Sequence, residues 1–191
     1  MDDRLHGKKI AFLATDGVEQ VELTEPWKAV EDAGGIPVLV SIHDGTIQGF
    51  EHDTEEADMF TVDQTINEVS AMDFDGLVLP GGTTNPDKLR QDHDAVDFVR
   101  DFADLGKPIG AICHGPWMLV EAGVADGHTL TSFPSLHTDI ENAGGLWVDQ
   151  AVVVDDGIVT SRGPDDLPAF CGKLIEEFEE GIHEELAKAA P

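Results

Sequence analysis

Residues 107–123 read Lys-Pro-Ile-Gly-Ala-Ile-Cys-His-Gly-Pro-Trp-Met-Leu-Val-Glu-Ala-Gly. Pro108 to Ile112 has the length and apolarity of a short buried strand. Cys113-His114-Gly115 then makes a sharp turn, and a helix is expected from about Pro116 to Ala122. A side chain on such a strand-to-helix elbow is pushed out of the top of a sheet, next to the free N–H groups of the helix start. Those donors favour a thiolate, so the expected thiol pKa lies below the usual value of about 8.5. The alternative is a cysteine that packs as a small apolar residue.

The same unit recurs on either side. Residues 74–92, FDGLVLPGGTTNPDKLRQD, are a strand, a glycine turn and a helix. Upstream, Ile10–Ala14 is a first strand, followed by a loop at Thr15–Gln20 and a helix from about Val21 to Ala33. Gly34-Gly35 ends that helix, and Pro37–Ile42 is a second strand. Residues 43–70 are polar and mixed, with short strands and loops expected. Downstream, Ala151–Val154 and Ile158–Ser161 pair as a hairpin around Asp155-Asp156-Gly157, and a closing amphipathic helix follows. Strands alternating with helices imply an α/β fold with a mainly parallel sheet covered on both faces. Ligand sites on such sheets lie beyond the carboxyl ends of the strands. One domain is expected over residues 1–191, with a core at about 9–178 and an exposed acidic helical tail at 179–191.

Eleven Lys and Arg against 39 Asp and Glu give a net charge of −28. That charge repels nucleic acid and anionic membrane, and neither is an expected partner. The acids are interleaved with apolar residues, and 41% of the chain is hydrophobic, so a folded acidic surface of the kind found in salt-loaded cytoplasm is expected. Two cysteines are no disulfide framework. No stretch approaches the roughly 20 apolar residues of a membrane span, and the first residues carry no long apolar leader segment, so cytoplasm is expected.

Candidate chemical residues cluster on the predicted loops. Cys113 is the candidate nucleophile. Cys171, within LPAFCGKLIEEF, reads as a packing residue of the closing helix. His114 is either a general base that swings back to the thiol or an orienting group. Glu19, Glu22 and Glu25 crowd the start of the first helix; any one of them could relay a proton, or simply suit the helix dipole. Gly81-Gly82 either brings a backbone N–H to an oxyanion or makes a tight turn. His43, His52, His93, His128 and His137 share no spacing, so no metal site is expected. His183-Glu184-Glu185 reads as a solvated helix face. No phosphate-loop, dinucleotide or Gly-x-Ser-x-Gly motif is present, and no cofactor is expected.

Four motifs in order, DGVEQVELTEP (16–26), LVLPGGTTNPDKLR (77–90), AICHGPWMLVEAGVADGHTLTS (111–132) and ENAGGLWVDQAVVVDDGIVTSRGPDDLPAF (141–170), resemble the PfpI family. This family of intracellular-protease-like and deglycase-like proteins belongs to the class I glutamine amidotransferase-like superfamily. The resemblance spans about Lys9 to Phe178 and implies a flavodoxin-like three-layer sandwich with the cysteine on a strained elbow. It gives Cys113 the place of the nucleophile, His114 that of the adjacent histidine, and Glu22 that of the glutamate bonded to the cysteine. Glu19 takes the place of an acid near a subunit contact, and the Gly82 and His114 amides take that of the oxyanion donors. Asp87, one methylene shorter than the family's glutamate, takes the position of a triad acid shared across a subunit interface. A dimer or hexamer is implied.

The implied activity is deglycase or glutathione-independent glyoxalase chemistry on methylglyoxal or its adducts, with a small aldehyde or a glycated protein as substrate. Cysteine peptidase is the second reading, and a chaperone or cysteine-oxidation stress sensor the third.

Overall fold

A computed structural model describes residues 3–189. Its central sheet begins with β1 (Lys9–Leu13). After a two-residue strand β2 (Val18–Glu19), helix α1 (Gln20–Asp32) returns the chain to β3 (Ile36–Ser41). The polar segment that follows is a projecting hairpin, β4 (Thr46–Glu51) and β5 (Glu55–Thr61), that pairs with β2 as a separate three-stranded sheet. The central sheet resumes with β6 (Gln64–Thr65) and β7 (Gly76–Leu79). Next come α2 (Thr84–Leu89), α3 (His93–Asp104), β8 (Ile109–Ile112) and α4 (Trp117–Glu121). The small pair β9 (Thr129–Leu130) and β10 (Leu146–Trp147) flanks α5 (His137–Asn142). The chain then forms β11 (Val152–Asp155), β12 (Ile158–Ser161), α6 (Leu167–Glu180) and α7 (Glu184–Ala189).

The seven central strands run in the order β11-β12-β8-β7-β1-β3-β6, and every pair is parallel except β11 with β12. A sheet buried on both faces needs apolar residues at successive positions, and β1 shows why. Ala11 and Leu13 enter one core with Leu77, Leu79, Phe98, Phe102 and Leu119. Ile10 and Phe12 point the other way, to Leu23, Val30, Phe170, Leu174 and Phe178. Helices α3, α4 and α5 cover the first face; α1 and α6 cover the second. The structure is thus the expected three-layer sandwich. Two strand glycines let α6 approach: a Cβ at Gly110 would lie 2.2 Å from Leu174 Cδ1, and one at Gly76 would lie 2.5 Å from the Phe178 ring.

The end of the chain departs from expectation. Leu186 of α7 is 1% exposed and joins the core on the α3 face, and His183 N–H donates to the Gly106 carbonyl at 2.7 Å. His183 lies over Gly157 and is not a solvated side chain. The acidic sequence hid one apolar anchor and one glycine gap, which together dock the segment. Residues 190 and 191 of the expected tail lie outside the described residues. Among the described residues no helix is long and apolar enough to cross a membrane.

Candidate active site

The carboxyl ends of β1, β7 and β8 lie side by side, and the loops leaving them converge. Cys113 follows β8 directly, with its N–H donating to Ser161 O at 3.0 Å and its carbonyl accepting Phe133 N–H at 2.8 Å. Its φ is 60°, in the left-handed region where a residue with a side chain costs about 1–3 kcal/mol. The turn tolerates little else behind it. A Cβ on Gly115 would stand 2.2 Å from Leu79 O, and one on Gly81 would stand 2.5 Å from Glu22 Oε2 and 2.7 Å from Cys113 Cβ. Asn85, fully buried, fixes the neighbouring loops: it accepts Thr15 N–H at 2.7 Å and donates to Pro80 O and Gly81 O at 3.0 Å.

Glu22 points from the first turn of α1 into this junction and is fully buried. Its Oε2 accepts Gly81 N–H at 2.9 Å, the carboxyl hydrogen-bonds the Cys113 thiol, and Oε1 is buried with no partner. An ionised carboxylate with an orphaned oxygen in a dry site is far costlier than a neutral acid. Burial therefore raises the Glu22 pKa from 4.5 to about 8; the hydrogen bonds from Cys113 and Gly81 pull the other way, and the Glu19 and Asp53 charges add to the rise. Glu22 is a protonated acid at neutral pH.

The thiol departs from the expected direction. Burial pushes the Cys113 pKa up, and Glu22, when charged, pushes it further; the Gly82 and His114 amides oppose both. Cys113 is only 7% exposed, and α4 has five residues, too short a helix for its dipole to outweigh desolvation. Once Glu22 holds the proton, its Coulomb penalty on the sulfur vanishes and its O–H can donate to a thiolate. The two groups titrate as a coupled pair, and at neutral pH both hold their protons.

His114 Nδ1 lies 3.2 Å from Cys113 Sγ, so the two neighbouring side chains do meet. Burial lowers the His114 pKa, with the Asp53 charge opposing, so the ring is neutral at pH 7. Nε2 is 3.2 Å from the Ser135 hydroxyl, and the Phe133 ring stacks on the imidazole at 4.6 Å and 23°. Trp117 closes the other side, its centroid 5.4 Å away.

A family model described as DJ-1/PfpI family matches residues 8–177. The chain belongs to the DJ-1/PfpI family. A relative named protein/nucleic acid deglycase 2, from Escherichia coli, is 46% identical over 165 residues, which is 85% of this chain and 93% of the relative. The deglycase PfpI of Pyrococcus furiosus is 38% identical over 168 residues, 88% of this chain and 98% of that one. Among solved structures, DJ-1beta of Drosophila melanogaster superposes with a TM-score of 0.81 at 28% identity, covering 96% of this chain and 95% of that one.

Of the residues singled out by the resemblance to PfpI proteins, the fold brings Cys113, His114, Glu22 and Gly82 into one cluster. Asp87 stands apart, exposed on α2, and within the chain His114 Nε2 meets Ser135 instead. Glu19 is 8% exposed and accepts the N–H groups of His52 and Asp53 at 3.1 and 3.2 Å, which ties the β4–β5 turn to the site. Asp53 in turn accepts Thr83 N–H at 2.6 Å. Glu25 lies on the α6 side of α1, near Cys171. Sequence reasoning missed Asp53, Asn85, Phe133 and Ser135. Their only signal was polar or aromatic character in loops, which marks no role until the sheet brings those loops together.

Proposed function

We propose that this chain is a cysteine-dependent deglycase acting on methylglyoxal adducts of amines and thiols, with glyoxalase activity on free methylglyoxal. The observation that carries the reading is the pairing of a strained, amide-flanked cysteine with a carboxyl that keeps its proton at neutral pH. The deglycase names of relatives with well over a third of their residues in common support it.

The chemistry follows from those groups. In a methylglyoxal–amine adduct the carbinol carbon bears the nitrogen. Cys113 sulfur bonds to that carbon as the C–N bond breaks; the thiol proton, passed on by His114, and the proton of Glu22 both go to the nitrogen, which leaves as an ammonium ion. Glu22, now a carboxylate, removes the hydrogen from the same carbon and returns it to the neighbouring carbonyl carbon. A proton passes between the two oxygens, so one carbon is oxidised, the other is reduced, and no external oxidant is needed. The product is a lactoyl thioester. Water, deprotonated by His114, hydrolyses it; His114 passes that proton to the sulfur, which restores the thiol, and the lactic acid gives its proton to Glu22 as it leaves as lactate. The Gly82 and His114 amides suit the oxyanions of these steps. Cys113 is 7% exposed behind His114, Phe133 and Trp117, which favours a small carbonyl over an extended peptide. The charge of −28 favours protein or small-molecule adducts over nucleic acid.

The test is release of lactate and free amine from methylglyoxal-treated N-acetyl-lysine. Wild type should release both, and Cys113→Ser neither. Casein cleavage by fresh protein with no lactate release would favour peptidase, and neither activity would favour an oxidation sensor. We infer also that Asp87 serves a partner subunit's His114 in a homo-oligomer. Light scattering at high salt that gives a 20.5 kDa particle would end that part of the reading.

A further inference from the structure

The end of the sheet remote from Cys113 carries a second cluster of chemistry-bearing groups. β12 pairs with β8 from Ile158 opposite Ile109, so the Asp155-Asp156-Gly157 turn sits beyond the start of β8. At about 3.3 Å per residue this is more than roughly 13 Å from Cys113. The loop before β9 lays His128 against this turn, and the His128 side chain is 5% exposed. Its Nδ1 is buried and makes no hydrogen bond. Asp155 Oδ2 lies 3.5 Å away, beyond hydrogen-bonding range, and accepts the Thr129 N–H. One ligand atom each of His128, Asp155 and Asp156 lies within 4.8 Å of the others.

We propose that His128, Asp155 and Asp156 bind a divalent transition ion of the zinc class. Two ligands at about 2.0–2.1 Å from a tetrahedral ion stand about 3.3 Å apart. The His128–Asp155 separation already matches that edge, and a small movement of the exposed Asp156 supplies a third ligand. A neutral imidazole with two carboxylates selects zinc-like ions over magnesium or calcium, which prefer oxygen ligands alone. The Thr129 N–H holds Asp155 in the orientation a ligating carboxylate needs. The bound ion would staple the β11–β12 edge hairpin to β9, the strand that leads into Phe133 beside His114. A neighbouring cluster of Glu177, Glu180 and His183 is less suited: the His183 side chain is 17% exposed against 5% for His128, so water competes more for its ring.

The experiment is calorimetry with Zn²⁺ on chelator-treated full chain carrying Cys113→Ser, which removes the thiol as a competing ligand, together with Co²⁺ absorption. The expected result is one ion per chain, tetrahedral Co²⁺ bands, a raised melting temperature, and no displacement by tenfold Mg²⁺. His128→Asn should weaken binding by about tenfold or more. Should that buried change unfold the chain, the exposed Asp156→Asn should weaken binding while leaving metal-free stability unchanged. His183→Gln should leave binding intact. Absence of binding, binding indifferent to His128→Asn and Asp156→Asn, or binding lost only with His183→Gln would overturn the proposal.

Discussion

Replacing Glu22 with glutamine should change how stability depends on pH. The carboxyl titrates at 4.5 in the unfolded chain and at about 8 when folded. A folded pKa raised above the unfolded one means that the stability this group contributes is complete below pH 4.5 and is lost as pH rises towards 8. One pKa unit is worth 1.36 kcal/mol, so the loss is about 1 kcal/mol at pH 5, about 3 at pH 7 and about 5 above pH 9. Glu22 is fully buried, so solvent screening takes little off these figures. The amide of the Glu22→Gln variant keeps the shape of the carboxyl and does not titrate. Relative to that variant, wild type should therefore lose about 2 kcal/mol between pH 5 and pH 7. With a urea slope of about 2 kcal/mol/M for a chain of this size, that is a midpoint shift of about 1 M. Urea melts of both proteins at the two pH values, in constant molar KCl, would measure it. Parallel midpoints would mean that Glu22 is ionised at neutral pH and would refute its part in the mechanism.

Two other perturbations follow from the same geometry. Gly81→Ala should leave the fold but cut turnover by about a hundredfold or more, because its Cβ would displace Glu22 Oε2 and the elbow backbone; kinetics beside a circular dichroism melt would show this. Stability should rise from dilute buffer to molar KCl, since the cations that are paired, such as Arg90 with Glu121, form partly exposed pairs worth about 0–1 kcal/mol each. Screening a net charge of −28 outweighs their loss, and a melting temperature that falls with KCl would count against that balance.

The strand-to-helix units around Cys113 and Gly81 are legible in the sequence because apolar strand runs, glycine turns and helix starts are local patterns. They place the elbow, the sheet and the carboxyl-end site. Choosing Glu22 over Glu19 and Glu25 needs the family resemblance, because all three suit a helix start equally. The fold then separates them: Glu22 is buried at the thiol, Glu19 holds the hairpin turn, and Glu25 faces α6. The thiol pKa runs against expectation because sequence shows the helix that favours a thiolate but not the burial that opposes it. Ser135 and Phe133 act on His114 only through a loop that the sheet brings across. His128 meets Asp155 by the pairing of distant segments, and spacing along the chain carries no trace of that.

The most direct measurement is a rapid-quench mass analysis of the protein during a single turnover of a methylglyoxal–amine adduct. One three-carbon unit should be bound covalently at Cys113, persisting longer in Glu22→Gln and missing in Cys113→Ser together with lactate. Modification confined to lysine and arginine, with lactate still released by Cys113→Ser at the wild-type rate, would contradict it.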